Sequence, residues 1–484
     1  MAIRLTCALF RQMSGRKICA RSLHNFIRFF ESVTRRNRTN GIKGMRHHLP
    51  ATYIDILKPP GLHYRVKMAA IQFGAKIFGF WQKPWANATE ASDEYGFLDE
   101  AYSNYKYRNP ITMPETGVSA AAFHDSNAAL ELPTDFERMS SLSMGAAGDL
   151  MPAEGLELSK DIFYENVADV LLNVDLSFAN LEAPITNQKV EVSFTGGDAP
   201  VMGFTPSEFA AIAGHKGTNF KALNFANNHA LDRGLEGLDT TARLFDEYGI
   251  KAIGTPAEAG HYGRATIFHE KGMKIGFASA TQDLNGFELP QTASHRIHKT
   301  KLTSRRAPPD IELLRRQIAD ARAQHCDFVV ASLHWGYEAE FFPRKRQIDV
   351  AHALIEEGAD LILGHHPHVI QPVELYRAKR DENRIAVIAY SLGGLGYRWY
   401  TAPHFALGLI LNMQLAKGLT AGKEVTYIER MDAVPVFQNI FLSHFGDVKL
   451  KRLEKLEDHT GDPSMSPLNA YASKIKRYAD LVLK

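Results

Sequence analysis

The chain has 484 residues, of which 45% are hydrophobic and 23% charged, with a net charge of +2. This is the composition of a globular protein long enough for two or three domains, and the near-neutral charge argues against nucleic acid as a partner. Three scattered cysteines, Cys7, Cys19 and Cys326, give neither a disulfide framework nor zinc-finger spacing, and no stretch reaches the roughly 18 apolar residues needed to span a bilayer.

Residues 1–50 form a basic extension in which Glu31 is the only acid against Arg and Lys from Arg4 to Arg46. Three readings stay open: a start assigned too early, with Met45 or Met68 as the true one; an arm touching acidic lipid; or an Arg-rich transit peptide. Residues 51–140 read as an N-terminal arm. Within it, apolar and aromatic Met68 to Trp81, with Lys76 and Lys83 nearby, predicts a helix packed on the main domain, with an interfacial helix as the alternative. The expected location is cytoplasmic, with peripheral membrane contact through this region left open.

From Ser141 short apolar runs alternate with helical patterns, the signature of parallel α/β structure. Strands are expected at Leu142–Ala147, Leu176–Ala179, Lys221–Phe225, Ile250–Ile253, Phe328–Leu333, Ile385–Tyr390 and Phe405–Leu415. Helices are expected at Val167–Leu172, at Leu235–Tyr248 with Gly249 as its C-terminal cap, at Ile311–Ala323 and at Gln347–Glu357. Ala265–Ala280 reads as a hairpin turning at Glu270-Lys271-Gly272. The main domain is expected over 141–430, followed by a charged helical segment over 431–484.

The strongest chemical signal is Gly364-His365-His366-Pro367-His368, which follows the apolar run Leu361-Ile362-Leu363. Neutral imidazole is the commonest metal-binding side chain. Four other strand-like runs end in a possible ligand: Asp149, Glu182, Asn228 and His334. Ligands in open α/β sheets bind beyond the carboxyl ends of strands, so five such endings predict a divalent-metal site. The mixed imidazole and carboxylate set suits one or two ions of Mn, Zn or Fe better than Mg. Glu182 is the natural bridging carboxylate between two ions. His365 and Glu338 read as groups that orient ligands rather than bind the ion. Trp335, as a stacking surface, and Arg344, as a cation steering an anionic chain, are candidate substrate contacts.

Gly148-Asp149-Leu150-Met151, Asn180-Leu181-Glu182-Ala183-Pro184-Ile185, Asn227-Asn228-His229, His334-Trp335-Gly336, the histidine cluster and Tyr390-Ser391-Leu392-Gly393 occur in that order. This ordered set resembles the CapA-type family of capsule, or poly-γ-glutamate, biosynthesis proteins, over about residues 141 to 415. The family in turn resembles the calcineurin-like metallophosphoesterases. The resemblance implies a four-layer α/β/β/α sandwich of the metallo-dependent phosphatase type, here with an N-terminal extension. It also implies Asp149 on a first ion, Glu182 bridging, Asn228 and His334 on a second, His366 and His368 serving one each, and His229 as the proton donor. The chain departs from the phosphoesterase pattern at Met151, where the first motif carries histidine, and from the CapA-type Ser-Leu-Gly-Asn-Phe at Gly394-Leu395. Two functions remain open: a metal-dependent hydrolase acting on a phosphoester or anionic polymer, and a non-catalytic accessory of a membrane-associated synthase or export complex.

Overall fold

A computed structural model describes residues 46–47, 69, 71–77, 79–124, 128–153, 155–188, 200–396, 402–442 and 449–484. The chain divides into two compact units. One, Met1–Arg46 with Phe441–Val448, lies almost wholly outside the described residues, and with it every expectation for the basic extension. The other, His47–Ile440 with Lys449–Lys484, contains the candidate site.

Among the described residues, this unit is an α/β assembly of two large mixed sheets and a small two-stranded one at Gly214–His215 and Thr218–Asn219. The first contains β1 (Glu137–Leu150), β2 (Leu176–Leu181), β3 (Ala222–Asn224) and β4 (Lys251–Ile253), mutually parallel in that order. The second contains β5 (Thr266–Glu270), β6 (Met273–Thr281), β7 (Phe328–His334), β8 (Leu361–His365), β9 (Val373–Arg377) and β10 (Ile385–Ala389). Its spatial order is β9-β10-β8-β7-β6-β5, with β6, β7, β8 and β10 parallel and an antiparallel strand at each edge. Two long strands, β11 (Leu407–Thr420) and β12 (Lys423–Leu442), extend the first sheet on the far side of β1, and β13 (Lys449–Lys455) pairs with β12.

Strand periodicity explains the layering. Side chains alternate across a sheet, so Leu142, Met144, Ala146, Leu176 and Phe178 face one way and Ala147, Ala179 and Leu181 the other. The first set shares one apolar core with Phe277, Val330 and Ile362 of the second sheet, and Phe178 stacks on Phe277 with centroids 5.6 Å apart. The second set is covered by α3 (Pro206–Ile212) and α4 (Gly234–Tyr248), with the short α2 (Ala168–Leu171) beside them. Burial on both faces is why these strands are near-continuously apolar. Leu314 and Ile318 of α5 (Glu312–Ala323) and Val350 and Leu354 of α6 (Lys345–Glu356) join the core from the second sheet's side.

Most expected elements occur within a few residues of their expected ends. Gly249 does cap its helix, in the left-handed region at φ 68°. Two expectations are corrected. The boundary at 430 falls inside β12, and the expected helical tail contains strand β13 before α7 (Pro467–Leu483); strand pairing overrode a charged, helix-like composition. The arm has structure of its own. It carries α1 (Phe97–Arg108), whose Tyr102 and Tyr105 pack against Trp81 at 5.3 Å. The 71–77 segment is helical, with Ala75 buried in that aromatic cluster and Phe73, Ile77 and neighbouring Phe80 exposed.

Candidate metal centre

Asp149 is the penultimate residue of β1, Glu182 follows β2 directly, Asn228 lies four residues beyond β3, His334 ends β7, and His366 and His368 follow β8. Six groups from the carboxyl ends of parallel strands in both sheets thus meet in one buried cluster.

Backbone constraints place them. A Cβ on Gly148 would lie 2.0 Å from the Gly393 carbonyl oxygen, so only glycine lets β1 pass so close to the 391–395 loop. That approach lets the Asp149 amide donate to Gly393 O at 2.9 Å and the Leu395 amide donate to Asp149 O at 2.8 Å. A Cβ on Gly364 would lie 1.9 Å from Tyr390 O. Beyond it, His366 and His368 adopt φ of 95° and 57°. Side chains rarely adopt such angles, at a cost of order 1–3 kcal/mol each, and they persist where surrounding structure enforces them, commonly at functional sites.

The side chains form three overlapping groups in which ligand atoms lie within 4.8 Å of one another: Glu182, His334 and His366; Asp149, Glu182 and His368; and Glu338, His366 and His368. His334 Nε2 is 2.8 Å from Asn228 Oδ1 and 3.5 Å from Glu182 Oε1. His368 Nδ1 is 3.3 Å from Asp149 Oδ2, and its Nε2 is 3.6 Å from Glu182 Oε1. His365 Nδ1 lies 3.2 Å from Asp149 Oδ1. Neither carboxylate oxygen of Glu182 and neither ring nitrogen of His366 has a hydrogen-bond partner, although both residues are buried.

Electrostatics follow from this crowding. Burial, then the Asp149 and Glu338 charges, push Glu182 well above the usual carboxylate range. Burial also opposes ionisation of Asp149, but hydrogen bonds from His365 and His368 prevail and hold it well below. Burial and the neighbouring imidazoles keep His334 well below its ordinary value, and burial brings His366 down to about 4. Burial disfavours His368 protonation as well, but Asp149 outweighs it and raises that imidazole. Unpartnered carboxylate oxygens facing neutral imidazoles fit a divalent cation: its charge would offset the repulsion between acids, and its coordination would satisfy the orphaned atoms.

His229, next to Asn228 in the chain, is in none of the three groups; its Nδ1 is 2.8 Å from Asp232 Oδ2, and that carboxylate also accepts from the Met202 amide at 2.6 Å. Sequence reasoning missed Asn180. Its Nδ2 donates to Asp149 Oδ1 at 2.9 Å and lies 3.3 Å from His334 Nδ1, while its Oδ1 accepts from Asn224 and Asn227. The signal was its place two residues before Glu182. Sequence reasoning also kept Glu338 one step away from the ion, whereas its carboxylate is within ligand reach of two histidines.

Two expected substrate contacts are corrected. Trp335 is fully buried and its indole N–H donates to Tyr390 O at 3.3 Å, so its faces belong to the core. Arg344 is buried, donates to both Glu340 oxygens at 2.9 and 2.8 Å, and lies 3.5 Å over the Tyr337 ring. Its guanidinium is already occupied.

Fold and site together define an α/β protein with a candidate divalent-metal centre at converging strand ends. The chain belongs to the bacterial capsule synthesis protein PGA_cap family, whose model matches residues 143–395. The PGA biosynthesis protein CapA of Bacillus subtilis (strain 168) is 30% identical over 306 residues, 61% of this chain and 73% of that protein. The capsule biosynthesis protein CapA of Bacillus anthracis is 27% identical over 54% of this chain and 61% of its own length. A probable polyglutamine synthesis accessory protein of Mycobacterium tuberculosis is 29% identical over 32% of this chain and 41% of its own. The chain therefore spans less than two thirds of the latter two relatives. Among solved structures, a hypothetical protein from Thermus thermophilus aligns at 12% identity over 60% of this chain and 99% of its own, with a TM-score of 0.31, too low to bear on the fold.

Proposed function

We propose that this chain is a CapA-like protein of capsule or poly-γ-glutamate-type polymer metabolism, built as an α/β/β/α sandwich of the metallophosphatase type. In this reading it is a metal-dependent hydrolase of a phosphoester or anionic polymer. Asp149, Glu182, Asn228, His334, His366 and His368 would hold one or two ions, of Mn, Zn or Fe rather than Mg. The observation that carries the reading is the pair of buried, unpartnered groups Glu182 and His366 facing each other across the cluster. A buried polar group left unsatisfied costs about 1–3 kcal/mol, and a cation at this point removes that cost.

A divalent ion bound here supplies a polarised substrate oxygen and a water acidic enough to be hydroxide near neutral pH. The chain's own groups do the rest. Asp232 fixes the His229 ring through Nδ1, leaving Nε2 as the nitrogen that can hand a proton to a leaving group. Asn180 ties Asp149 and the two neighbouring strand ends into one rigid frame.

The test is element-specific mass spectrometry of the purified chain, Mn²⁺ titration, and a phosphoester panel with His366→Ala and His229→Ala variants. Bound ion, turnover, loss of both in His366→Ala, and loss of turnover alone in His229→Ala are expected. Absence of ion and of turnover, with His366→Ala identical to the parent, would refute it.

A second reading, an accessory of a polymer synthesis or export complex, is supported by Met151 where the phosphoesterase pattern has histidine. No helix among the described residues is long and apolar enough to cross a membrane. Exposed Phe73, Ile77 and Phe80 support peripheral attachment in either reading. Metal binding without turnover on any phosphoester or polyglutamate would favour the accessory role.

A further inference from the structure

We propose that Glu338 is a further metal ligand, shared with His366 and His368, and that Tyr107 on the N-terminal arm is the positioning residue that holds it. The proposal rests on the metal reading above and adds to it a part of the chain that lies outside residues 143–395, the family-matched segment.

The Glu338 carboxylate faces two ways. Its Oε2 accepts a hydrogen bond from the Tyr107 hydroxyl at 2.7 Å. Its Oε1 faces the cluster, 3.8 Å from His368 Nε2. Glu338, His366 and His368 offer ligand atoms within 4.8 Å of one another, close enough to share one ion. A carboxylate anchored through one oxygen presents the other in a fixed direction, as supporting hydrogen bonds do around metal ligands generally.

The arm is bound to the stretch that directly follows Glu338, residues 339–344. The Ile111 amide donates to Ala339 O at 3.3 Å and the Phe341 amide to Ile111 O at 3.0 Å. The Tyr102 hydroxyl donates to Glu340 Oε1 at 2.8 Å, and Arg344 Nη1 donates to Trp85 O at 3.0 Å. Lys106, next to Tyr107, is fully buried with its ammonium 3.4 Å from Glu90 and 3.5 Å from Glu340. Tyr107 itself rests against Phe405, centroids 5.1 Å apart. A network of buried charges is a poor source of stability but a good source of geometric definition, because each partner is costly to leave unpaired. Here it defines the loop between His334 and the histidine turn.

The experiment is Mn²⁺ titration by calorimetry on the full chain, its Tyr107→Phe and Glu338→Gln variants, and the double variant. Tyr376→Phe, which removes a tyrosine–carboxylate bond from β9 to Glu356 at the end of α6, serves as the control. Supporting hydrogen bonds to metal ligands are worth about 10- to 100-fold in affinity, so Tyr107→Phe should weaken Mn²⁺ by about tenfold or more. Glu338→Gln should weaken it further, and Tyr107→Phe should add nothing in the Glu338→Gln background. Tyr376→Phe should change nothing, and metal-free melting of all four variants shows that they fold. Parent-like affinity in Tyr107→Phe overturns the positioning role, and parent-like affinity in Glu338→Gln overturns the ligand; either leaves the metal reading standing. If the parent chain binds no Mn²⁺ at all, both fall.

Discussion

Replacing Gly148 by alanine tests the geometry on which the site depends. The new Cβ would stand 2.0 Å from Gly393 O and 2.8 Å from Leu392 O, both backbone atoms, whereas real Cβ contacts essentially never fall below 3.0 Å. β1 or the 391–395 loop must therefore retreat by about 1 Å. Overpacking of this kind costs about 1–3 kcal/mol. The retreat also stretches two hydrogen bonds, Asp149 N to Gly393 O at 2.9 Å and Leu395 N to Asp149 O at 2.8 Å. Each is worth about 0.5–1.5 kcal/mol. Together these give a loss of about 4 kcal/mol in unfolding free energy. Urea unfolding of parent and Gly148→Ala measures it, and Mn²⁺ titration shows whether Asp149 has been displaced. Gly74→Ala, where a Cβ meets nothing within 4 Å on the 71–77 helix, is the comparison and should be neutral or slightly stabilising. An unfolding free energy for Gly148→Ala within about 0.5 kcal/mol of the parent, the ordinary range for inconsequential substitutions, would refute the close approach.

Three further outcomes follow from the same reasoning. Burial lowers His298 from 6.5 to about 4. The unfolded chain therefore binds its proton first, and stability falls with pH between 6.5 and about 4, by about 3 kcal/mol at about 1.4 kcal/mol per pH unit; urea unfolding of His298→Gln should show a correspondingly shallower fall. Arg344→Ala leaves buried Glu340 with only the Lys106 ammonium, at 3.5 Å, and the Tyr102 hydroxyl of the partners described above, so it should cost about 3–5 kcal/mol of stability. A variant as stable as the parent but with weaker substrate binding would restore the steering role. Burial and the Asp149 charge push the Glu182 carboxyl well above its usual range, and a carboxylate must lose its proton to hold a cation, so Mn²⁺ binding should release protons and tighten as pH rises. Calorimetry in buffers of different ionisation enthalpy reads this directly, and buffer-independent heats would contradict it.

The α/β class was legible in the chain because short apolar runs and helical periodicity are local properties of the sequence. The ligand-type residues at strand ends were legible for the same reason: Asp149, Glu182, His334 and the 364–368 turn each follow an apolar run that can only be interior. Even the Gly148 and Gly364 positions stood in the motifs, though not their reason. That reason is the approach of another backbone segment, the 389–395 stretch, which no local pattern encodes. Tertiary structure alone decided which side chains are free to act. Trp335 and Arg344 look available in sequence, yet one is core and the other is held by a carboxylate four residues before it. Glu338 becomes a candidate ligand because the fold brings its carboxylate within reach of His366 and His368, while Tyr107, 231 positions earlier, reaches its other oxygen. A side chain's chemistry is written in its own residue, but its availability is set by neighbours that are distant along the chain.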